Sequence, residues 1–340
     1  MEALATIYRP KTFEEVCGQK SIVKILERQI ETGKVKNCYL FCGPSGTGKT
    51  TIARILANKI NKGKGVPIEI DAASNNGVDN IRNIISEAQT RAIDAEYKVI
   101  ICDEAHMITT AGWNAFLKTL EEPPAFTIFM FCTTNPEKIP TTIQNRVQRF
   151  NLSKISNASI KDRLLYICEK EHFENYVESC DYLSKVCNGG MRDAIAYLDK
   201  IADYSNNISI ENTLEVLGNY SYADFLTLTN SIVDLNEANV LHILTQIESA
   251  GKDMKNFVDQ YMGFILDLIN YALFKDMGVT KLPLSLEKDI KYAVAFDNNV
   301  SIFNGIIDKL LILKNQIRYD DNAYLSIKVA FIHILRTLGK

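Results

Sequence analysis

The residues with the clearest chemistry lie in a glycine-rich loop, GPSGTGKT, at positions 43–50. The loop matches the pattern G-x-x-x-x-G-K-[ST] with its fixed positions at Gly43, Gly48, Lys49 and Thr50. Glycines let backbone N–H groups approach phosphate oxygens, Lys49 neutralises the β- and γ-phosphates, and Thr50 offers its hydroxyl to Mg²⁺. We therefore predict a nucleoside triphosphate site whose ligands are Gly43, Pro44, Ser45, Gly46, Thr47, Gly48, Lys49, Thr50 and Thr51. The alternative is a glycine loop that only turns the chain.

A second polar pair ends another apolar run, VIICDEAH at 99–106. Ligands of open α/β sheets collect at the carboxyl ends of strands, so we expect Asp103 and Glu104 to face the loop. We interpret Asp103 as a Mg²⁺ holder acting through water, and Glu104 as the general base that polarises the attacking water. An isolated Asp-Glu pair is more often a solvated strand end. His106 is either a sensor of the nucleotide or, as we favour, a packed surface residue.

The segment FMFCTTNPEKIPTTIQNRVQRF (129–150) contributes two further candidates. Thr134, with Asn135 beside it, ends a strand where a side chain can reach both the nucleophilic water and the γ-phosphate. An Asn-Pro turn is the simpler alternative. Arg146 precedes the next strand, and a guanidinium supplied to a neighbouring subunit is worth roughly 10³ to 10⁵ in rate. A surface salt bridge is the ordinary role of a single arginine.

The elements that position these residues change character near residue 152. Before it, apolar runs alternate with helical segments, with strands predicted at 38–43, 67–72, 98–104, 127–134 and 147–152 and helices at 49–61, 77–91 and 111–120. Unbroken β-branched and aromatic runs are typical of strands buried on both faces of a parallel sheet. The alternation predicts a doubly wound α/β domain.

After residue 152 only helical periodicity remains. Helices are predicted at 156–170, 176–187, 190–203, 210–217, 221–233, 235–250, 253–275, 300–316 and 321–337. The polar stretch DYSNNIS (203–209) separates a small three-helix unit from a larger bundle. The predicted fold class is α/β plus all-α, with domains at 1–152, 153–206 and 207–340.

Composition narrows the class of protein. The 340 residues suit two or three compact units, with 46% hydrophobic and 23% charged residues. A net charge of −3 means that a nucleic-acid partner must be met by a local basic patch. The eight cysteines lack a Cys-x-x-Cys pair and are typical of reduced thiols. The sequence has neither a membrane-length apolar run nor a signal-peptide pattern, so we expect a cytoplasmic location.

Seven segments occur in the order seen in bacterial DNA polymerase III gamma/tau subunits, and the chain resembles that family. They are YRPKTFEEVCGQ (8–19), the P-loop, EIDAASNNGVDNIR (69–82), DEAHMIT (103–109), NAFLKTLEEPP (114–124), TTNPEKIPTTIQNR (133–146) and GGMRDAIAYLDK (189–200). The resemblance is dense over the first two hundred residues, and TLEEPP and GGMRDA are more diagnostic than the P-loop. Replication factor C small subunits look like more distant relatives.

The resemblance implies the ATPase of a sliding-clamp loader. An AAA+ domain, a three-helix lid and a helical collar would bind ATP and Mg²⁺. The partners implied are other loader subunits in a pentameric ring, a sliding clamp, and primer–template DNA held through its backbone phosphates.

The resemblance also assigns roles to single residues. The adenine would lie against the N-terminal segment, Tyr8, Arg9 and Pro10. Thr134 falls at the sensor 1 position, and Arg192 at the sensor 2 arginine that reaches the phosphates of its own subunit. Arg146 matches the arginine finger that acts on the neighbour's ATP, and Arg82 matches a position that touches DNA backbone. Without the resemblance, Arg192 and Arg82 would be ordinary helix-surface charges.

Two features depart from the family pattern. A four-cysteine zinc module usually follows the P-loop helix, whereas ANKINKGKGVPIEI (57–70) passes directly to the next strand, so no zinc is expected. The finger motif usually reads Ser-Arg-Cys, and here Arg146 lies between Asn145 and Val147. The chain ends with the collar-like bundle, as in the shorter gamma form.

Other classes fit less well. A DEAH-type helicase needs a second α/β core, and a small-molecule kinase does not explain a separate helical bundle. A related hexameric ATPase, such as a branch-migration motor or an initiator, is harder to exclude by motif, but its C-terminal part would carry a winged helix or a helix-turn-helix. A subunit that binds ATP without hydrolysing it well is disfavoured by the presence of Glu104 and Arg146.

Overall fold

The computed structural model describes residues 2–249, 251, 253–296, 298–318, 320 and 323–338. The chain divides into two compact units, the first formed by Met1–Ile167 and Cys187–Asp199 and the second by Cys168–Val186 and Lys200–Lys340. The three-part division at residues 152 and 206 stays a prediction. Across the described ranges, no helix is long and apolar enough to cross a membrane.

The first unit is built on a parallel sheet of five strands in the order β2-β3-β4-β1-β5. The strands are β1 (Cys38–Cys42), β2 (Ile68–Asp71), β3 (Lys98–Asp103), β4 (Thr127–Thr133) and β5 (Gln148–Asn151). All five lie within their predicted ranges, and the parallel sheet is confirmed. The register pairs Cys42 with Thr133 and Asp71 with Asp103, so the carboxyl ends of the strands share one edge.

Both faces of the sheet are covered, which explains its unbroken apolar strands. Tyr39 and Phe41 of β1 point into one core, and Leu40 points into the other. The helices up to β5 are α1 (Leu4–Ile7), α2 (Lys20–Glu31), α3 (Lys49–Ile60), α4 (Val78–Ala88), α5 (Thr110–Glu121) and α6 (Thr141–Gln144). Side chains of α2 and α3 fill the first core, and those of α4 and α5 fill the second.

The rest of the chain is helical where the structure describes it. Its helices are α7 (Asn157–Lys170), α8 (Val177–Val186), α9 (Met191–Tyr204), α10 (Ile210–Val216), α11 (Tyr222–Val233), α12 (Glu237–Ser249), α13 (Met254–Phe274), α14 (Glu287–Ala293), α15 (Asn299–Ile317) and α16 (Ala323–Leu338). Aromatic side chains of α11 and α13 lie in the core of the second unit. The ring centroids of Phe225 and Tyr261 are 5.4 Å apart there. The α/β plus all-α class is confirmed.

Candidate functional site

The P-loop joins the end of β1 to the start of α3, and its backbone requires glycine. Gly43 N–H donates to the Thr133 carbonyl oxygen at 3.2 Å, which ties the loop to β4. Gly43 and Gly46 have φ angles of 151° and 71°, which side chains with a Cβ rarely adopt. A Cβ on Gly43 would also lie 2.6 Å from the Leu152 carbonyl oxygen. The loop conformation therefore follows from its glycines.

Lys49 is 7% exposed and lies within the loop. Its ammonium Nζ donates to the carbonyl oxygens of Gly43 at 2.9 Å and Pro44 at 2.8 Å. Burial lowers the pKa of Lys49, and the charges of Glu104 and Asp103 act in the opposite direction. A buried cation beside carboxylates and backbone N–H groups is suited to bind a polyphosphate.

Asp103, at the end of β3, is fixed by two hydrogen bonds. Its Oδ2 accepts the Thr50 hydroxyl at 2.8 Å, and its Oδ1 accepts the Glu104 N–H at 2.9 Å. Carboxylate and hydroxyl oxygens are the ligands that Mg²⁺ prefers, and Mg²⁺ usually binds through one or two carboxylates together with substrate phosphates. Thr50 and Asp103 therefore fit a magnesium ion that arrives with a nucleotide.

Glu104 has an unusual backbone conformation at the same strand end. Its φ of 46° lies in the left-handed region, which costs a non-glycine residue roughly 1–2 kcal/mol. Its Oε2 accepts the Thr134 hydroxyl at 3.4 Å and lies 3.3 Å from His106 Nδ1. His106 also lies 3.2 Å from the Thr133 hydroxyl oxygen, and its side chain is only 10% exposed. The histidine is packed and largely buried, not a surface residue, and it contacts the candidate base directly.

These residues line one cleft in the first unit. Tyr8, Arg9 and Pro10 of the N-terminal segment line it together with Ser45–Thr51, Asp103, Glu104 and Arg192. The structure thus brings the predicted base-binding, phosphate-binding and carboxylate residues together. Thr134 reaches the cleft through its bond to Glu104.

The backbone of the GGMRDA motif (189–194) lies close to the backbone of the P-loop. Met191 N–H donates to the Gly46 carbonyl oxygen at 3.0 Å, and a Cβ on Gly46 would lie 3.0 Å from Gly190 Cα. The start of α9 therefore packs directly on the P-loop, which places Arg192 at the cleft. A Cβ on Gly190 would lie 2.8 Å from Asp193 Oδ2 and 3.4 Å from the Cys187 carbonyl oxygen.

Arg146 and Arg82 lie outside the residues that line the cleft. The Arg146 guanidinium donates to Glu121 Oε1 and to the Thr142 carbonyl oxygen, both at 2.5 Å, at the start of β5. Glu121 belongs to the TLEEPP motif, and sequence analysis gave it no role. Arg82 forms an exposed pair with Asp79 at 3.2 Å, one helical turn earlier in α4.

Arg163 of α7 was not among the site residues predicted from the sequence. This side chain lines the cleft and donates from Nη2 to the Tyr8 carbonyl oxygen at 2.8 Å. The two residues are 155 positions apart, so local spacing carries no signal for the contact.

Comparison with known proteins identifies the family. A family model described as DNA polymerase III, delta subunit, matches residues 66–156. The chain is 37% identical to DNA polymerase III subunit tau of Bacillus subtilis over 292 residues, which is 79% of this chain and 52% of that protein. It is 34% identical to DNA polymerase III subunit gamma of Buchnera aphidicola over 286 residues, covering 78% of this chain and 79% of that protein. The chain belongs to the DNA polymerase III gamma/tau family.

The gamma/tau chain has a structural neighbour outside its family. The RuvB Holliday junction branch migration motor of Thermotoga maritima superposes with a TM-score of 0.52 and 19% sequence identity. The match covers 76% of the gamma/tau chain and 90% of RuvB. This likeness shows the fold alone, and that fold is AAA+. The gamma/tau chain spans about half the length of its B. subtilis relative.

Proposed function

We propose that this chain is an ATPase subunit of a clamp loader, which opens a ring-shaped sliding clamp and loads it onto primer–template DNA. Membership of the gamma/tau family supports the class. One observation carries the mechanism: the P-loop, the two carboxylates and Arg192 share a cleft, while Arg146 lies outside it on the same unit. An arginine that lies outside the cleft of its own subunit can act on the γ-phosphate of a neighbour, where it adds to Lys49 and Arg192 of that neighbour's cleft.

Different residues of the cleft would bind the adenine and the phosphates of ATP. The segment Tyr8–Pro10 lies against the adenine. The N–H groups of Gly46–Thr51, together with Lys49, hold the phosphates. Arg192 reaches the same phosphates from the start of α9. Thr50 and Asp103 would hold Mg²⁺, which neutralises β- and γ-oxygens when bound.

Hydrolysis follows from the position of Glu104. A water attacks the γ-phosphorus in line, and its proton passes to the Glu104 carboxylate. The bond from the γ-phosphorus to the bridging oxygen breaks, so that ADP and phosphate are the products. The Thr134 hydroxyl, 3.4 Å from Glu104 Oε2, orients the carboxylate toward the water. Arg146 of a neighbouring subunit stabilises the charge that develops on the transferring group.

Assembly couples this reaction to loading. We assign residues 153–206 as a lid and 207–340 as a collar that joins subunits into a pentameric ring. ATP held between Lys49 of one subunit and Arg146 of the next locks the ATPase domains into a spiral. Hydrolysis removes the bridging phosphate and releases the clamp. Arg82 would touch DNA backbone phosphate, so affinity is expected to depend on salt more than on base sequence.

ATP turnover of the assembled chain tests the class. We expect strong joint stimulation by a sliding clamp and primer–template DNA, beyond the sum of either alone. A related AAA+ DNA-remodelling ATPase of the branch-migration or initiator type would respond to DNA and ignore the clamp. Equal turnover with and without the clamp would therefore contradict the proposal.

A further inference from the structure

Arg163 fixes the position of the N-terminal segment, and the proposed reaction gives it no role. Its Nη2 donates to the Tyr8 carbonyl oxygen at 2.8 Å. A hydrogen bond from a charged donor to a backbone acceptor is stronger than one between neutral groups. The bond crosses from α7 to the segment that leads into Pro10, and all three residues line the cleft.

A stacking contact fixes the direction of the same guanidinium. The carbon at its centre lies 5.2 Å from the centroid of the Tyr166 ring, one turn further along α7. The Tyr166 ring in turn meets the Tyr8 ring edge-on, with centroids 6.4 Å apart and planes at 88°. Helix α7 therefore holds Tyr8 at both its backbone and its ring.

The segment has a second anchor on another helix that reaches the cleft. Leu4 N–H donates to Asp199 Oδ2 at 3.3 Å, and Asp199 lies on α9. The start of α9 carries Arg192 and packs on the P-loop through Met191. The N-terminal segment is thus tied at Leu4 and Tyr8 to the two helices that flank the cleft.

The two ends of the cleft differ in chemistry. At one end are the N–H groups of the P-loop and the buried Lys49 ammonium. Arg163 contacts Tyr8, and the cleft lining also includes Pro10 and Ile195. Aromatic and apolar side chains of this kind suit an aromatic base rather than a phosphate. The Arg163 guanidinium is already engaged by a carbonyl oxygen and an aromatic ring.

We propose that Arg163 is a positioning residue for the nucleoside end of the bound nucleotide. It holds Tyr8–Pro10 against the purine and ribose, and it makes no contribution to binding the phosphates. This inference rests on the proposed function, because it takes the cleft to be the ATP site.

A comparison of two ligands tests this inference. Binding of ATP and of inorganic tripolyphosphate, both with Mg²⁺, is measured by calorimetry on the full chain. We expect Arg163→Ala to weaken ATP binding by about tenfold or more, the equivalent of one charged hydrogen bond. Tripolyphosphate affinity should stay at the wild-type value, whereas Lys49→Ala should weaken both ligands.

The matched control is Arg91→Ala. The central carbon of the Arg91 guanidinium lies 5.1 Å from the centroid of the Phe126 ring, and Arg91 does not line the cleft. This variant should bind both ligands as the wild type does. If circular dichroism shows that Arg163→Ala is poorly folded, Arg163→Lys replaces it, because lysine keeps the charge but cannot stack as a plane. Arg163→Lys should weaken ATP binding to a smaller degree and leave tripolyphosphate binding unchanged.

Three results would overturn the inference or its basis in distinguishable ways. Equal weakening of both ligands would place Arg163 at the phosphates. Unchanged ATP affinity in a folded Arg163 variant would remove its positioning role. A wild-type chain that binds neither ligand would contradict the proposed function itself.

Discussion

At the scale of single residues, the proposed reaction assigns nucleotide binding and catalysis to different side chains. Lys49 is buried inside the P-loop, and Glu104 follows the end of β3 with its side chain 41% exposed. The exposed carboxylate can reach a water, whereas the buried ammonium can only meet a ligand that enters the loop. Substitutions at the two positions should therefore separate affinity from turnover.

Lys49→Ala should weaken ATP binding by roughly 10- to 100-fold, because a charged hydrogen-bond donor to the phosphates is lost. Glu104→Gln keeps the shape of the site and loses the base, so it should bind ATP normally and accumulate in a clamp-bound complex. Its turnover should fall by roughly 10²- to 10⁴-fold. Nucleotide titration and phosphate release measure the two effects. Normal turnover in Glu104→Gln would show that another group is the base.

The pair between Arg146 and Glu121 gives a second prediction at this scale. Glu121→Gln keeps an acceptor but removes the charge that orients the guanidinium, so turnover of the assembly should fall about two- to fivefold. ATP affinity of the isolated chain should not change, because neither residue lines its cleft. Glu122→Gln, at the adjacent exposed carboxylate, is the matched control. Altered nucleotide affinity in Glu121→Gln alone would contradict the assignment.

At the scale of elements, the buried strands were the easiest to predict. Each strand is a continuous apolar run, and burial on both faces of the sheet leaves no polar position to blur the pattern. The short α1, α6 and α14 have only four to seven residues and were not predicted. Helix α2 was also missed, although Ile22, Leu26 and Ile30 recur at the helical spacing of four.

Contacts between distant segments could not be predicted for a different reason. The P-loop and the pair Asp103–Glu104 could be predicted from local spacing, because each directly follows the end of one strand. The bonds Arg163–Tyr8 and Arg146–Glu121 join residues 155 and 25 positions apart, and depend on how elements pack. Site residues that follow a single strand could therefore be predicted from the sequence, whereas contacts between distant elements could not.

Asp267 of α13 gives a prediction for the second unit. It is 8% exposed, and burial raises its pKa to about 6, although the Lys281 N–H at 3.2 Å and the charges of Lys281 and Lys185 favour ionisation. An unfolded aspartate titrates near ~3.9. The folded state therefore holds the proton more tightly, and the stability contribution of Asp267 falls as pH rises from about 4 to about 6.

Asp267→Asn removes this titration. Relative to the wild type, the variant should gain thermal stability as pH rises through that window and keep the gain above it. Melting temperatures of both proteins from pH 4 to pH 8 measure the difference. Asp308→Asn, at an exposed position on α15, should show no such trend. A constant difference between Asp267→Asn and wild type at all pH values would contradict the buried carboxyl as its source.

At the scale of the whole molecule, we propose that ATP hydrolysis depends on contact between neighbouring chains. With a net charge of only −3, the protein relies on local groups and not on its overall field to meet phosphate. The cleft of one chain holds Glu104, the proposed base, and Arg146 of the same chain is not among the residues that line that cleft. Arg146→Ala should therefore leave nucleotide affinity of the isolated chain nearly unchanged while abolishing turnover in the assembly.

The most direct test is ATP turnover in assemblies formed from equal amounts of Arg146→Ala and Glu104→Gln chains. Each variant alone should be inactive. In the mixture, an intact Glu104 on one chain meets an intact Arg146 on a Glu104→Gln neighbour, so the account predicts that turnover returns to a measurable fraction of the wild-type rate. A mixture as inactive as its two parents, in assemblies of unchanged size, would contradict a catalytic site shared between chains.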